Sequence, residues 1–162
     1  MKFKLVLLAV VSAALLATGA ASAYITAPPP GTWVSLTRCF TTGSITLSQG
    51  QYLRAGWGTV SEQQSLDFLA AQNFTLTVSG TNGTTYSWST GNTDSWTVPT
   101  KIAIGGKPLW QTTAFIQVNL PVGTYSLSTA GTSVNRAVFD GEAVTKKGEN
   151  WFAIPSCTLT VT

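Results

Sequence analysis

Ala114-Phe115-Ile116-Gln117-Val118-Asn119-Leu120-Pro121-Val122-Gly123-Thr124-Tyr125-Ser126-Leu127 carries the clearest two-residue period in the chain. Ala114, Ile116, Val118 and Leu120 fall on one face of an extended chain, and Tyr125 and Leu127 resume the alternation after Pro121-Val122-Gly123-Thr124. Successive side chains of a strand point to opposite faces, so this spacing predicts two strands, and the proline and glycine between them predict a turn that pairs them antiparallel.

The same period runs outward on both sides. Upstream, Phe74, Leu76 and Val78 alternate with Thr75, Thr77 and Ser79 up to Gly80-Thr81-Asn82-Gly83, whose Asn-Gly pair signals a hairpin leading to Tyr86 and Trp88. Gly91-Asn92 predicts a turn before Trp96 and Val98, and Ile102 and Ile104 precede a further reversal at Gly105-Gly106. Ser44 to Leu47 and Gln51 to Gly56 read as strands around Gly50, and Trp33 to Thr41 as a strand covered on both faces. Downstream, Val134 to Phe139, the Asp140-Gly141 turn, Glu142 to Thr145, and the series Cys157, Leu159 and Val161 continue the β pattern. One stretch departs from it: Ser61-Glu62-Gln63-Gln64 has the form of a capping box, and Leu66, Phe68, Leu69 and Ala70 follow at helical spacing. The fold expected is all-β, an antiparallel immunoglobulin-like β-sandwich of about eight to ten strands with one short helix near residues 61–71.

The first 23 residues are of another kind. Lys2 and Lys4 precede an apolar run from Leu5 to Leu16, and Ala21-Ser22-Ala23 precede Tyr24. A basic start, an apolar stretch too short to span a bilayer and small residues before a cleavage point predict a secretory signal peptide over 1–23. Ala27-Pro28-Pro29-Pro30-Gly31 predicts a stiff, extended spacer over 24–31, because three prolines fix φ and remove backbone donors. Residues 32–162 then form a single β domain, placed outside the cytoplasm, secreted or at a cell surface. Cys39 and Cys157, an even pair in an oxidising compartment, are expected to form a disulfide.

Two of the 9 basic residues lie in the leader, which leaves 7 against 6 acidic ones. The only adjacent basic pair is Lys146-Lys147, too little to displace counterions along a nucleic acid, and no apolar segment after the leader is long enough for a membrane span. The chain has no histidine, which removes Ser-His and Cys-His couples and imidazole metal ligands. Asp140 with Glu142, or Glu62 with Asp67, supplies the two carboxylates of a glycoside hydrolase on paper, but Asp140-Gly141 reads more simply as a turn and Glu62 as an anion in a first helical turn. Asp140 and Glu142 lack the loop signature of a calcium site. No metal, cofactor or catalytic residue is therefore expected.

Leu53-Arg54-Ala55-Gly56-Trp57 leading into Ser61 to Gln72, then Phe74 to Gly80 and Arg136-Ala137-Val138-Phe139-Asp140-Gly141, resembles uncharacterised secreted bacterial β-sandwich domains, and Val118 to Leu127 resembles the late hairpin of immunoglobulin-like surface domains. The resemblance implies a bacterial cell-surface or secreted sandwich without catalytic residues, a non-catalytic interaction or structural module with a protein or glycan partner. The alternative reading is a carbohydrate-binding module: Tyr86 and Trp88 share a strand face, and Trp96 across a short turn completes a platform for sugar rings. Trp96, flanked by Asp94, Ser95 and Thr97, is the tryptophan most expected to be exposed, with Trp151 next. Asn73-Phe74-Thr75 and Asn82-Gly83-Thr84 have the sequon form, which a eukaryotic secretory pathway glycosylates and a bacterial one leaves bare.

Overall fold

The computed structural model describes residues 24–90, 95–129 and 132–162. The leader expected over 1–23, the turn expected at Gly91-Asn92 and Asp94 lie outside the described residues. What is described is predominantly β, built as two sheets that share one core. The first sheet runs β1 (Trp33–Ser35), β3 (Tyr52–Thr59), β8 (Lys107–Gln117) and β7 (Thr100–Ile104), in that order. The second runs β2 (Ser44–Leu47), β13 (Cys157–Val161), β9 (Gly123–Ser128), β5 (Thr75–Gly80) and β6 (Thr85–Ser89). Short ladders join β4 (Gln72–Asn73) to β10 (Ser133–Val134) and β11 (Val138–Phe139) to β12 (Val144–Thr145).

The alternation that predicts the strands also says which face turns inward. Leu53 and Ala55 of β3 oppose Ile116 and Ala114 of β8 in register, and all four are buried. From the other sheet Ile45 and Leu47, Leu76 and Val78, Leu127, Leu159 and Val161 join the same core. Burying a side chain of this size contributes about 1.5 to 3 kcal/mol, and these positions share the core with Phe68, Phe74, Trp96 and Trp151. Two hairpins stand where glycine predicts them. β5 returns through Asn82-Gly83 into β6, and β7 returns into β8 through Gly105 and Gly106, whose φ values of 57° and 81° are those of a two-residue turn that favours glycine at both positions.

Four expectations are corrected. The sheets are mixed: β1 runs parallel to β3, and β2 parallel to β13. Both parallel pairs join segments far apart in sequence, where no tight turn imposes an antiparallel return. Second, the strand expected over Trp33 to Thr41 stops at Ser35 and gives way to a short helix, α1 (Arg38–Thr42), so there are two helices among the described residues and not one. This turn brings Cys39 inward to Cys157, with Cα atoms 5.6 Å apart at a sequence separation of 118. The disulfide thus clasps α1 to β13. Third, the turn at Pro121 is no hairpin, because β8 and β9 lie in different sheets. Val118 still bonds to Gln51 beside β3, and the chain then crosses the core at Leu120 and enters β9, where Tyr125 Oη donates to the Pro121 carbonyl at 2.8 Å. Fourth, Trp96 and Trp151 are buried, as described with the site below.

The second helix, α2 (Glu62–Ala71), forms where the capping box predicts it. Ser61 Oγ accepts from the Gln64 amide at 3.3 Å, and Gln64 Oε1 accepts from the Ser61 amide at 3.1 Å. The helix inserts Phe68 and Leu69 into the core.

A groove on the outer face of the four-stranded sheet

The three proposed platform residues are not brought together. Tyr86 and Trp88 stand in register with Val78 and Leu76, on the inward face of the edge strand β6, half-buried and with rings 6.5 Å apart. Trp96 is 0% exposed. It bridges to Ala114, whose small side chain leaves room for the indole, and its Nε1 donates to Thr90 Oγ1 at 3.2 Å. Around it Phe68, Phe74 and Trp151 pack at centroid distances of 5.7, 6.3 and 5.7 Å, and Trp57 stacks on Phe68 at 4.7 Å. Polar neighbours in sequence suggested exposure, but the indole gains more from this aromatic cluster than it would in water.

Asp140 and Glu142 line a small cavity of about 130 Å³, but most of the acidic groups are engaged locally. Asp140 Oδ1 accepts from the amides of Glu142 and Ala143, both at 2.8 Å, which folds its carboxylate into its own turn. Asp67 pairs with Arg136 at 3.6 Å on the surface, and Glu149 Oε2 accepts from the Lys146 amide at 2.7 Å. Glu62 and Asp67 are five residues apart on α2, about 140° around the helix, so they do not converge.

A larger concavity lies on the outer face of the four-stranded sheet. β3 and β8 place Arg54 opposite Phe115, Gly56 opposite Thr113 and Gly58 opposite Gln111 on this face, with Trp33 of β1 beside Tyr52 at one edge and Thr100 and Ile102 of β7 at the other. The proline-rich spacer arches over it. Ile25 bridges to Thr97, beyond β8, whereas Trp33 belongs to β1, beyond β3, so residues 26–32 must cross the sheet. The crossing covers four strand spacings, about 19 Å. The spacer is not extended throughout as its prolines predict: Pro29 to Thr32 close a turn in which the Thr32 amide donates to the Pro29 carbonyl at 3.2 Å, with Gly31 at a φ of 88°, and the segment leaves space between itself and the sheet. That space is a groove of about 670 Å³, walled by Ile25 to Pro30 on one side and by Trp33, Arg54, Val98, Ile102, Gln111 and Phe115 among the residues on the other.

Among the described residues, Arg54 is the one charged side chain that lines this groove. Its guanidinium lies over the Trp33 ring, 4.7 Å from the centroid, and its Nη2 donates to Gln111 Oε1 at 3.0 Å. The Trp33 and Tyr52 rings meet Phe115 edge-on at 6.3 and 6.5 Å. Gln111 can cross to Arg54 because Gly56 has no side chain: a Cβ there would stand 3.0 Å from Gln111 Nε2. No carboxylate among the described residues lies within ion-pair distance of Arg54. Burial pulls its pKa below the ordinary value, yet a guanidinium remains charged at neutral pH, so a partly desolvated cation faces the groove.

No family model, curated protein or solved structure matches this chain. Its function must be argued from the groove itself. Arg54 and Trp33 carry a sequence signal, a cation and an aromatic on short alternating strands, but the pairing of β1 with β3 that brings them together is non-local. The proline run signals a stiff segment but not that it packs over the sheet, and Gln111 carries no signal.

Proposed function

We propose that the protein is an extracellular, non-catalytic binding module that holds a small amphipathic ligand in the groove between the proline arch and the four-stranded sheet. The observation that carries this reading is the groove's composition: about 670 Å³ of largely apolar space with one cation fixed in its wall. Small-molecule sites are typically cavities of about 300 to 1,000 Å³ with a few placed polar groups. The leader pattern of residues 1–23 and the Cys39–Cys157 disulfide support an oxidising, extracellular location. Lack of histidine and the engagement of Asp140, Asp67 and Glu149 in turns and surface contacts favour binding over catalysis. The bond from Tyr125 to Pro121, like the tyrosine corner of immunoglobulin domains, supports a distant likeness to that fold, from which the two parallel strand pairs depart.

The test is a thermal-shift and calorimetric screen of the processed protein against medium-chain amphiphiles and oligosaccharides, with Ile102→Glu as a groove-blocking variant. Saturable binding of an amphiphile, lost in a folded Ile102→Glu protein, is expected. Binding confined to oligosaccharides and indifferent to Ile102→Glu overturns the groove as the ligand seat.

A further inference from the structure

Resting on that reading of the groove, we infer that its ligand is an unbranched monocarboxylate of the fatty-acid type, with the carboxylate on Arg54 and the chain along Val98, Ile102 and Phe115. Charge complementarity and a shortage of hydrogen-bonding groups in the wall argue for it together.

The wall is poor in backbone donors, and its polar side chains besides Arg54 are Thr26, Thr97, Thr100, Gln111 and Thr113, set among apolar ones. Pro28, Pro29 and Pro30 have no backbone donors. Thr97 Oγ1 already accepts from the Thr113 amide at 3.1 Å, its carbonyl from Thr112 Oγ1 at 2.8 Å, and Thr100 Oγ1 donates to the Val98 carbonyl at 3.1 Å. A peptide or an oligosaccharide would bury amides or hydroxyls against this surface without enough partners, at a cost of about 1 to 3 kcal/mol for each group left unpaired. One face of Trp33 is covered by Arg54, which removes it as a stacking surface for sugar. A hydrocarbon chain asks for no partners and gains about 0.8 kcal/mol for each methylene buried.

The anion is specified by how Arg54 is held. Stacking on Trp33 and the single bond to Gln111 orient the guanidinium while leaving most of its five N–H donors uncommitted. A planar fork held in this way matches the two oxygens of one carboxylate. One cation and no partner carboxylate among the lining residues favour one negative charge on the ligand.

The experiment measures binding of dodecanoate, 1-dodecanol and dodecyltrimethylammonium, each below its aggregation threshold, to the processed protein and to its Arg54→Gln, Arg54→Lys and Ile102→Glu variants, with near-ultraviolet circular dichroism as the check on folding. Wild type is expected to prefer dodecanoate to dodecanol on the order of 10- to 100-fold. Arg54→Gln should erase that preference, Arg54→Lys should retain part of it, and Ile102→Glu should weaken both ligands. If dodecanoate and dodecanol bind equally and Arg54→Gln changes neither, or if the ammonium compound binds as tightly as dodecanoate, the carboxylate assignment falls while the groove stands. If none of the three binds, or binding ignores Ile102→Glu, the groove reading falls with it.

Discussion

The Arg54 guanidinium lies 4.7 Å above the centre of the Trp33 indole, although the two residues belong to strands joined by a helix, a second sheet and a return across the core. Their contact depends on the parallel pairing of β1 with β3, in which Ser35 stands opposite Arg54 and Trp33 two residues away opposite Tyr52. A cation resting on an aromatic face is stabilised by about 0.5 to 2 kcal/mol, which suffices to fix a long side chain in one orientation.

Gly56→Ala is predicted to impair the site without unfolding the protein. The new methyl would meet Gln111 Nε2, at the end of a flexible side chain, and move the amide that holds Arg54. Dodecanoate affinity, followed by calorimetry, should fall several-fold, with the melting temperature changed by only a few degrees.

Replacing Pro28, Pro29 and Pro30 together by glycine removes the stiffness of the arch. The ligand must then order a flexible segment on binding, at about 0.4 to 1 kcal/mol for each position freed. Affinities for both dodecanoate and dodecanol should drop by a similar factor in the same titrations, since the ordering cost does not depend on the ligand's charge.

Trp96→Ala and Trp88→Ala should separate sharply in stability. Trp96 is enclosed by Phe68, Phe74 and Trp151, so truncation opens a cavity and costs about 3 to 5 kcal/mol in denaturant unfolding. Trp88 is half-buried on an edge strand, and its loss should cost clearly less. Equal costs would contradict the placement of these two residues.

Cys39→Ser with Cys157→Ser removes a clasp over 118 residues. Release of a loop of that length costs up to about 4 to 5 kcal/mol where chain entropy dominates. Thermal unfolding of the double variant should therefore begin on the order of 10 °C lower.

What was legible beforehand follows a physical division between local and long-range order. The Ser61 box, the Asn82-Gly83 hairpin and the Gly105-Gly106 reversal are written within a few adjacent residues, and each stands where it was read. The pairing of the two cysteines needed only their count and a compartment. Strand direction and sheet membership depend on partners far along the chain: Pro121 reads as a hairpin turn locally, yet it carries the chain from one sheet to the other. Trp96 differs for a related reason, since its polar neighbours describe a loop and the core that receives its indole comes from Phe68 of α2, Phe74 between β4 and β5, and Trp151. The groove was beyond local reading altogether, because it exists only where residues 26–32 cross strands with which they share no sequence pattern.

The most direct measurement is an NMR titration of the protein with dodecanoate, following indole N–H and methyl signals. Saturable shifts of the Trp33 indole and of the Val98 and Ile102 methyl groups, with Trp88 and Trp96 unmoved, are the predicted result. Shifts centred on Tyr86 and Trp88, or none at saturating ligand, would contradict the assignment of the groove as the binding site.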